Sequence, residues 1–169
     1  MDKLQQVIRE LETDATFNEC VSRWERIPAR EGSYGPLPDD LSSPIRASLE
    51  ERGIGRLYTH QSEAYAAGRA GRHFVVVTPT ASGKTLCYNL PVLQTIVEQP
   101  ETRALYLFPT KALSQDQQAE LNETVETGDF PVKIVTYDGD TPVSLRASAK
   151  ETGQVVISNP DMLHAGILP

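Results

Sequence analysis

The sequence predicts an α/β fold: a parallel sheet with helices on both faces, entered through a helical N-terminal segment. Three observations carry this reading. Short apolar-rich runs at 73–77, 103–108, 132–137 and 154–158 are separated by segments long enough for helices, the pattern of parallel strands joined by crossovers. The runs are mostly continuous rather than strictly alternating, as strands covered on both faces are. The first run also passes through Thr78-Pro79-Thr80-Ala81-Ser82-Gly83-Lys84-Thr85 into Leu86-Cys87-Tyr88-Asn89-Leu90, a strand–loop–helix order whose loop ends in Gly-Lys-Thr.

Taken in order, Leu4, Val7, Ile8 and Leu11 fall at helical spacing, so the first dozen residues read as an amphipathic helix. Residues 27–44 are rich in Pro, Gly and Ser and read as an extended connector. Ser43-Pro44 has the form of an N-cap followed by proline, opening a helix that carries Ile45 and Leu49 and stops at Gly53. A second helix is expected from about Gln61 to Ala70, stopping at Gly71. Strand 73–77 then leads to helix 84–98, which must end before Pro100. Strand 103–108 leads to a helix over 111–125, and strand 132–137 to one near 143–150. Strand 154–158 leads to Asn159-Pro160, again an N-cap with proline. The division expected is an N-terminal extension with its connector, 1–52, and an α/β domain that carries the Gly-Lys-Thr loop, 53–169.

Composition narrows the function. The chain has 169 residues, a formal net charge of −7 and 39% hydrophobic residues, enough for one domain with a core. An acidic chain has no global positive field to steer a polyanion, so any nucleic acid must be held by local groups. Cys20 and Cys87 are far apart, and neither they nor His60, His73 and His164 show metal-ligand spacing. The acidic stretch 120–126 reads as a solvated helix face. Lacking a long apolar run or a signal peptide, the chain reads as soluble and cytoplasmic.

The chemistry is expected at the carboxyl ends of the strands, where ligands of such sheets sit. A Gly-Lys-Thr loop at a helix start offers phosphates a ring of backbone N–H groups at a positive helix end. Lys84 can reach the β/γ-phosphates, and the Thr85 hydroxyl can take a place on Mg²⁺. The strict pattern wants glycine where Thr78 stands, but Ala81 and Ser82 are small enough for close approach. Upstream, the Gln61 amide has the donor and acceptor to pair with an adenine edge. Three further segments follow strands: Pro109-Thr110-Lys111, Tyr137-Asp138-Gly139-Asp140-Thr141 and Ser158-Asn159-Pro160-Asp161. Lys111 suits a phosphate or plain solvation, and Asp138 and Asp140 suit a turn around Gly139. Trp24 suits burial or base stacking.

This ordered set resembles the first RecA-like domain of superfamily two helicases, the DEAD/DEAH-box group. Thr80–Thr85 looks like motif I, Tyr58-Thr59-His60-Gln61 like a Q motif, Pro109–Gln117 like motif Ia, Asp138-Gly139-Asp140 like the glycine segment and Ser158–His164 like motif Ib. The wording around Tyr58 and Tyr137, with the lead-in Ile27–Glu31, is similar to the bacterial mitomycin-repair helicases and their fungal RecQ4-like relatives. The resemblance spans residues 27–169. It implies ATP and Mg²⁺ as cofactors, held by Thr80, Ala81, Ser82, Gly83, Lys84 and Thr85, with Gln61 reading adenine and Thr85 on the metal. It implies a single DNA strand or 3′ tail held by Pro109, Thr110, Lys111, Gly139, Ser158, Asn159 and Asp161, largely through backbone groups, hydroxyls and helix ends. The implied activity is that of an ATP-dependent DNA helicase acting in repair. The family's Asp-Glu segment and second RecA-like domain do not occur in these residues, so the chain is expected to be part of a longer protein and to hydrolyse little alone. An aromatic that stacks on adenine could be Tyr58 or Tyr34. Two other readings stand beside this one: a phosphate-loop phosphotransferase, and a non-enzymatic nucleotide-binding interaction module.

Overall fold

The structure, a computed structural model, describes residues 3–29 and 31–168. These fall into two compact units, one up to Gly32 and one from Ser33 onward. The division expected at residue 52 falls inside the second of these units, which takes in most of the connector and the helix after it.

In the first unit, α1 (Lys3–Thr13) is the expected amphipathic helix, with no residue buried and Leu4 and Val7 61% and 49% exposed. Helix α2 (Ala15–Glu19) is capped by Asp14, whose carboxylate accepts from the Phe17 N–H at 2.8 Å. The Trp24 ring packs 6.1 Å from Phe17, and its Nε1 donates to Asn18.

The second unit opens with a departure from expectation. Part of the supposed connector forms β1 (Tyr34–Pro36), paired antiparallel with β2 (Arg56–Tyr58). Between them runs α3 (Ser43–Glu51), begun at Ser42 with Pro44 in the first turn. After β2 come α4 (Thr59–Arg69) and, past an extended stretch, α5 (Lys84–Glu98). Helices α3 and α4 stop at Gly53 and Gly71 as expected; the Ile54 N–H donates to Leu49 O and the Arg72 N–H to Ala67 O. Gly68 lets α4 approach α5 closely, since a Cβ there would meet the Pro91 ring at 2.8 Å.

The remaining elements are β3 (Ala104–Leu107), α6 (Lys111–Thr127), β4 (Ile134–Thr136), α7 (Val143–Thr152), β5 (Val155–Ser158) and α8 (Pro160–Met162), which runs into a wide turn at Leu163–Ile167. The three strands are parallel in the order β3-β5-β4. One face, bearing Tyr106, Val155 and Ile157, packs with Leu90 and Leu93 of α5, Leu121 of α6 and Ile45 and Leu49 of α3. The other face carries the end of α7, where Gly153 sits against Val135 and Val156, and Ile167 beside Leu105. Leu105 and Leu107 on that face stay 45% and 40% exposed.

The strand expected at 73–77 does not form. Val75 and Val77 are 87% and 89% exposed, and no strand among the described residues pairs with the segment. A β-prone sequence supplies side chains for a strand but not the neighbouring backbone that completes its ladder. No described helix is long and apolar enough to cross a membrane.

Candidate functional site

The loop between the extended 73–77 segment and α5 is shaped by its own side chains. Gly83 is the N-cap of α5 with φ +72, and a Cβ there would meet Gln61 Nε2 at 2.6 Å. Two constraints thus demand glycine, apart from any approaching phosphate. Ala81 also takes a left-handed backbone, φ +59, at a cost of about 1 kcal/mol. Inside the loop Lys84 Nζ donates to Thr78 O (3.0 Å), Pro79 O (2.7 Å) and Ser82 Oγ (3.4 Å), and the Thr78 and Ser82 hydroxyls lie 2.6 Å apart. The Thr78 side chain, standing where the strict pattern has glycine, therefore ties the loop to itself. To touch a phosphate, Lys84 must exchange these carbonyls for phosphate oxygens.

The start of α4 fastens this loop from outside. Gln61 is 3% exposed; its Oε1 accepts from the Tyr58 N–H (2.9 Å), half of a capping box, while its Nε2 donates to Gly83 O (2.8 Å). His60 Nε2 lies 2.9 Å from Ser82 O. Gln61 is thus a buried tie between helix and loop, with one amide hydrogen and one oxygen lone pair left over.

A cleft of about 430 Å³ opens beside Gly83 and Thr85, bounded by Tyr34, Arg56, Tyr58, Gln61 and the turn at Gly53–Gly55. Tyr34 and Tyr58 stack with centroids 4.6 Å apart, and the Arg56 guanidinium lies 3.9 Å over the Tyr34 ring. A volume in this range suits a small ligand, and aromatic walls beside glycine and polar groups are the usual lining of such sites. Arg56 was not singled out in the sequence; only the β1–β2 pairing, which has no sequence signature in Tyr-Gly-Pro, brings it to Tyr34.

The three post-strand segments gather at one edge of the sheet. The Phe108 N–H donates to Ser158 O (2.9 Å), and the buried Ser158 hydroxyl donates to Tyr137 O (2.6 Å). Ser158 offers its hydroxyl to the neighbouring loop rather than outward. Thr110 and Asn159 act as N-caps, accepting from Leu113 N–H (3.3 Å) and Met162 N–H (2.9 Å). Pro109, Gly139 and Asp161 are exposed. Lys111 pairs with Asp140 across the two loops, which holds its ammonium above the ordinary lysine range, chiefly through that hydrogen bond. The phosphate loop lies at the same end: Tyr88, one turn into α5, donates to Gln117, two turns into α6, at 2.5 Å. The structure thus gathers the predicted residues into a loop-and-cleft group around Lys84 and an edge group around Lys111. No group of His, Cys, Asp and Glu among the described residues has the arrangement of a metal site.

The parallel sheet and the Gly-Lys-Thr loop capping α5 define a phosphate-loop α/β domain. A family model of the DEAD/DEAH box helicases matches residues 58–168, and the chain belongs to that family. It is 51% identical over 96% of its length to the uncharacterized ATP-dependent helicase YprA of Bacillus subtilis (strain 168), spanning 22% of that protein. It is 34% identical over 98% of its length to the ATP-dependent helicase hrq1 of Schizosaccharomyces pombe, spanning 16% of it. Among solved structures, the DUF1998 helicase MrfA bound to DNA and AMPPNP matches 99% of the chain at 48% identity and a TM-score of 0.87, the chain covering 23% of MrfA. The chain therefore spans about a fifth of the proteins it resembles.

Proposed function

We propose that this chain is the ATP-binding portion of an ATP-dependent DNA helicase or translocase. The observation that carries the reading is the placement of the Gly83–Lys84–Thr85 loop and the Pro109–Lys111, Asp138–Thr141 and Asn159–Asp161 segments at one end of one sheet. The related proteins support it, MrfA having been solved with both DNA and AMPPNP.

In this reading the triphosphate lies on the N–H groups of Ser82, Gly83 and Lys84, with the Lys84 ammonium turned from the loop carbonyls onto phosphate oxygens. The loop fits that duty: Gly83 is exposed, its φ leaves no side chain in the way, and the fifteen-residue α5 points its N-terminus there. Thr85 would lend its hydroxyl to Mg²⁺, which when bound would screen the phosphate charge. The nucleoside occupies the cleft beside Tyr34, Arg56 and Tyr58. Gln61 spans the two parts, its remaining amide hydrogen free for an adenine edge and its bonded one on Gly83. The DNA strand runs along the edge, its phosphates met by Lys111, by N–H groups at the start of α6, by exposed backbone at Gly139 and by the half-buried Asn159.

Calorimetric titration with MgATP tests the reading. Lys84→Ala should weaken binding at least tenfold without lowering the melting temperature; equal affinity in both proteins would refute the phosphate-loop assignment. Single-stranded DNA should then bind to the protein, an outcome that a phosphotransferase of this fold does not share.

A further inference from the structure

We infer that Asp140 is a built-in competitor for the nucleic-acid phosphate: its carboxylate occupies Lys111, a lysine on the proposed strand-binding edge, and sets the affinity and salt dependence of that edge. The inference rests on the proposed DNA-binding reading.

The pair joins two loops that no backbone hydrogen bond connects: Lys111 opens α6, and Asp140 sits in the turn after β4. The turn is held by its own hydrogen bonds, which set the position of the Asp140 backbone opposite the start of α6. Asp138 Oδ1 accepts from the N–H groups of Asp140 and Thr141, both at 3.0 Å. Arg146 clamps the turn from α7, donating through Nε to Thr141 O (2.9 Å) and through Nη2 to Gly139 O (3.2 Å). The Asp140 side chain takes no part in that scaffold; its recorded partner is Lys111. Asp140→Asn therefore leaves the turn intact and removes only the charge.

Both side chains are well exposed, 53% for Lys111 and 77% for Asp140. An ion pair so exposed is weak and readily exchanged. A DNA phosphate approaching the α6 N-terminus meets a cation already neutralised and a carboxylate it must displace. The edge presents a net-neutral pair to the strand, so this contact releases little counterion. Such an arrangement favours transient phosphate contacts over fixed ones.

The test compares Asp140→Asn, Lys111→Ala, their combination and Glu126→Gln in a fluorescence-anisotropy titration of a single-stranded oligonucleotide across salt concentrations. Glu126 lies in the last turn of α6, roughly 22 Å along the helix from Lys111, and controls for a change in net charge alone. Asp140→Asn should tighten binding about two- to fivefold and steepen the log K against log salt slope by up to about 0.7. Lys111→Ala should abolish both gains, and Glu126→Gln should reproduce neither. A DNA-free readout runs beside it: acylation of the Lys111 amine, followed by mass spectrometry, should be faster in Asp140→Asn because the carboxylate no longer holds the ammonium protonated. If Asp140→Asn binds like wild type or like Glu126→Gln, or if Lys111 acylation is unchanged, the competitor role is wrong while DNA binding stands. If no variant retains the oligonucleotide at low salt, the DNA reading itself fails and the inference with it.

Discussion

Replacing Gln61 with alanine tests the tie between α4 and the phosphate loop. The side chain is 3% exposed and bonded at both ends, to the Tyr58 N–H and to Gly83 O. Each hydrogen bond contributes about 1 kcal/mol net, and each buried methylene about 0.8 kcal/mol. The loss should total roughly 3 kcal/mol, with the exposed Gly83 carbonyl regaining water and the half-buried Tyr58 N–H regaining less. For a chain of this size that corresponds to a fall of about 6–12 °C in melting temperature, read by circular dichroism. Gln61→Glu separates the bonds from the packing. It keeps an oxygen for Tyr58 N–H but turns a second oxygen toward Gly83 O, so a donor–acceptor contact becomes a repulsive one. That variant should be destabilised at neutral pH and should recover as the pH falls and the protonated acid can donate to Gly83 O. Melting of Gln61→Ala within about 2 °C of wild type would refute the claim that the amide fastens the loop. Measured on the folded variant, an unchanged preference for ATP over GTP would remove the adenine role and leave only the fastening one.

Two further outcomes follow from the same region. Ala81→Gly should stabilise the protein by about 0.5 kcal/mol, because relief of the left-handed backbone outweighs the added freedom of the unfolded chain; a lower urea midpoint would mean the φ of +59 is not strained. Cys87 is buried and its thiol is pushed up by that burial, whereas Cys20 is exposed. Iodoacetamide should therefore modify Cys20 and spare Cys87 in the native state, and equal modification of the two by mass spectrometry would contradict the packing of α5 against α4.

Local signals in the sequence carried most of the element types. The helix stops at Gly53 and Gly71 and the N-cap Asn159 are signalled by residues close in sequence, and the runs that become strands 104–107, 134–136 and 155–158 are apolar in themselves, although their ladder joins distant segments. What was not legible depends on partners far away. Tyr34–Pro36 is a strand only because Arg56–Tyr58 lies alongside, and residues 73–77, with the stronger strand sequence, have no paired strand among the described residues and form none. Among candidate site residues the chemistry was readable and the engagement was not. Gln61, Ser158 and Lys111 carry suitable groups, yet each is already bonded, to Gly83, Tyr137 and Asp140 respectively. Nothing within a few residues of any of them announces those partners.

The unladdered 73–77 segment also decides how the phosphate loop is held. In a fully laddered sheet, the strand before the phosphate loop would fix that loop against the other strand ends through backbone hydrogen bonds. Here that route is missing among the described residues, and the loop is positioned from two other sides. From α4, His60 and Gln61 grip Ser82 O and Gly83 O. From α5, the helix seats Leu90 and Leu93 in the core, while Asn89 accepts from the Tyr106 hydroxyl of β3 (3.0 Å) and Tyr88 donates to Gln117 of α6. Side-chain ties have fewer fixed dihedrals behind them than a strand ladder and yield individually. The bonded route from Lys84 to Lys111 therefore runs along one turn of α5, across the Tyr88–Gln117 bond and back along nearly two turns of α6, about three helical turns in all.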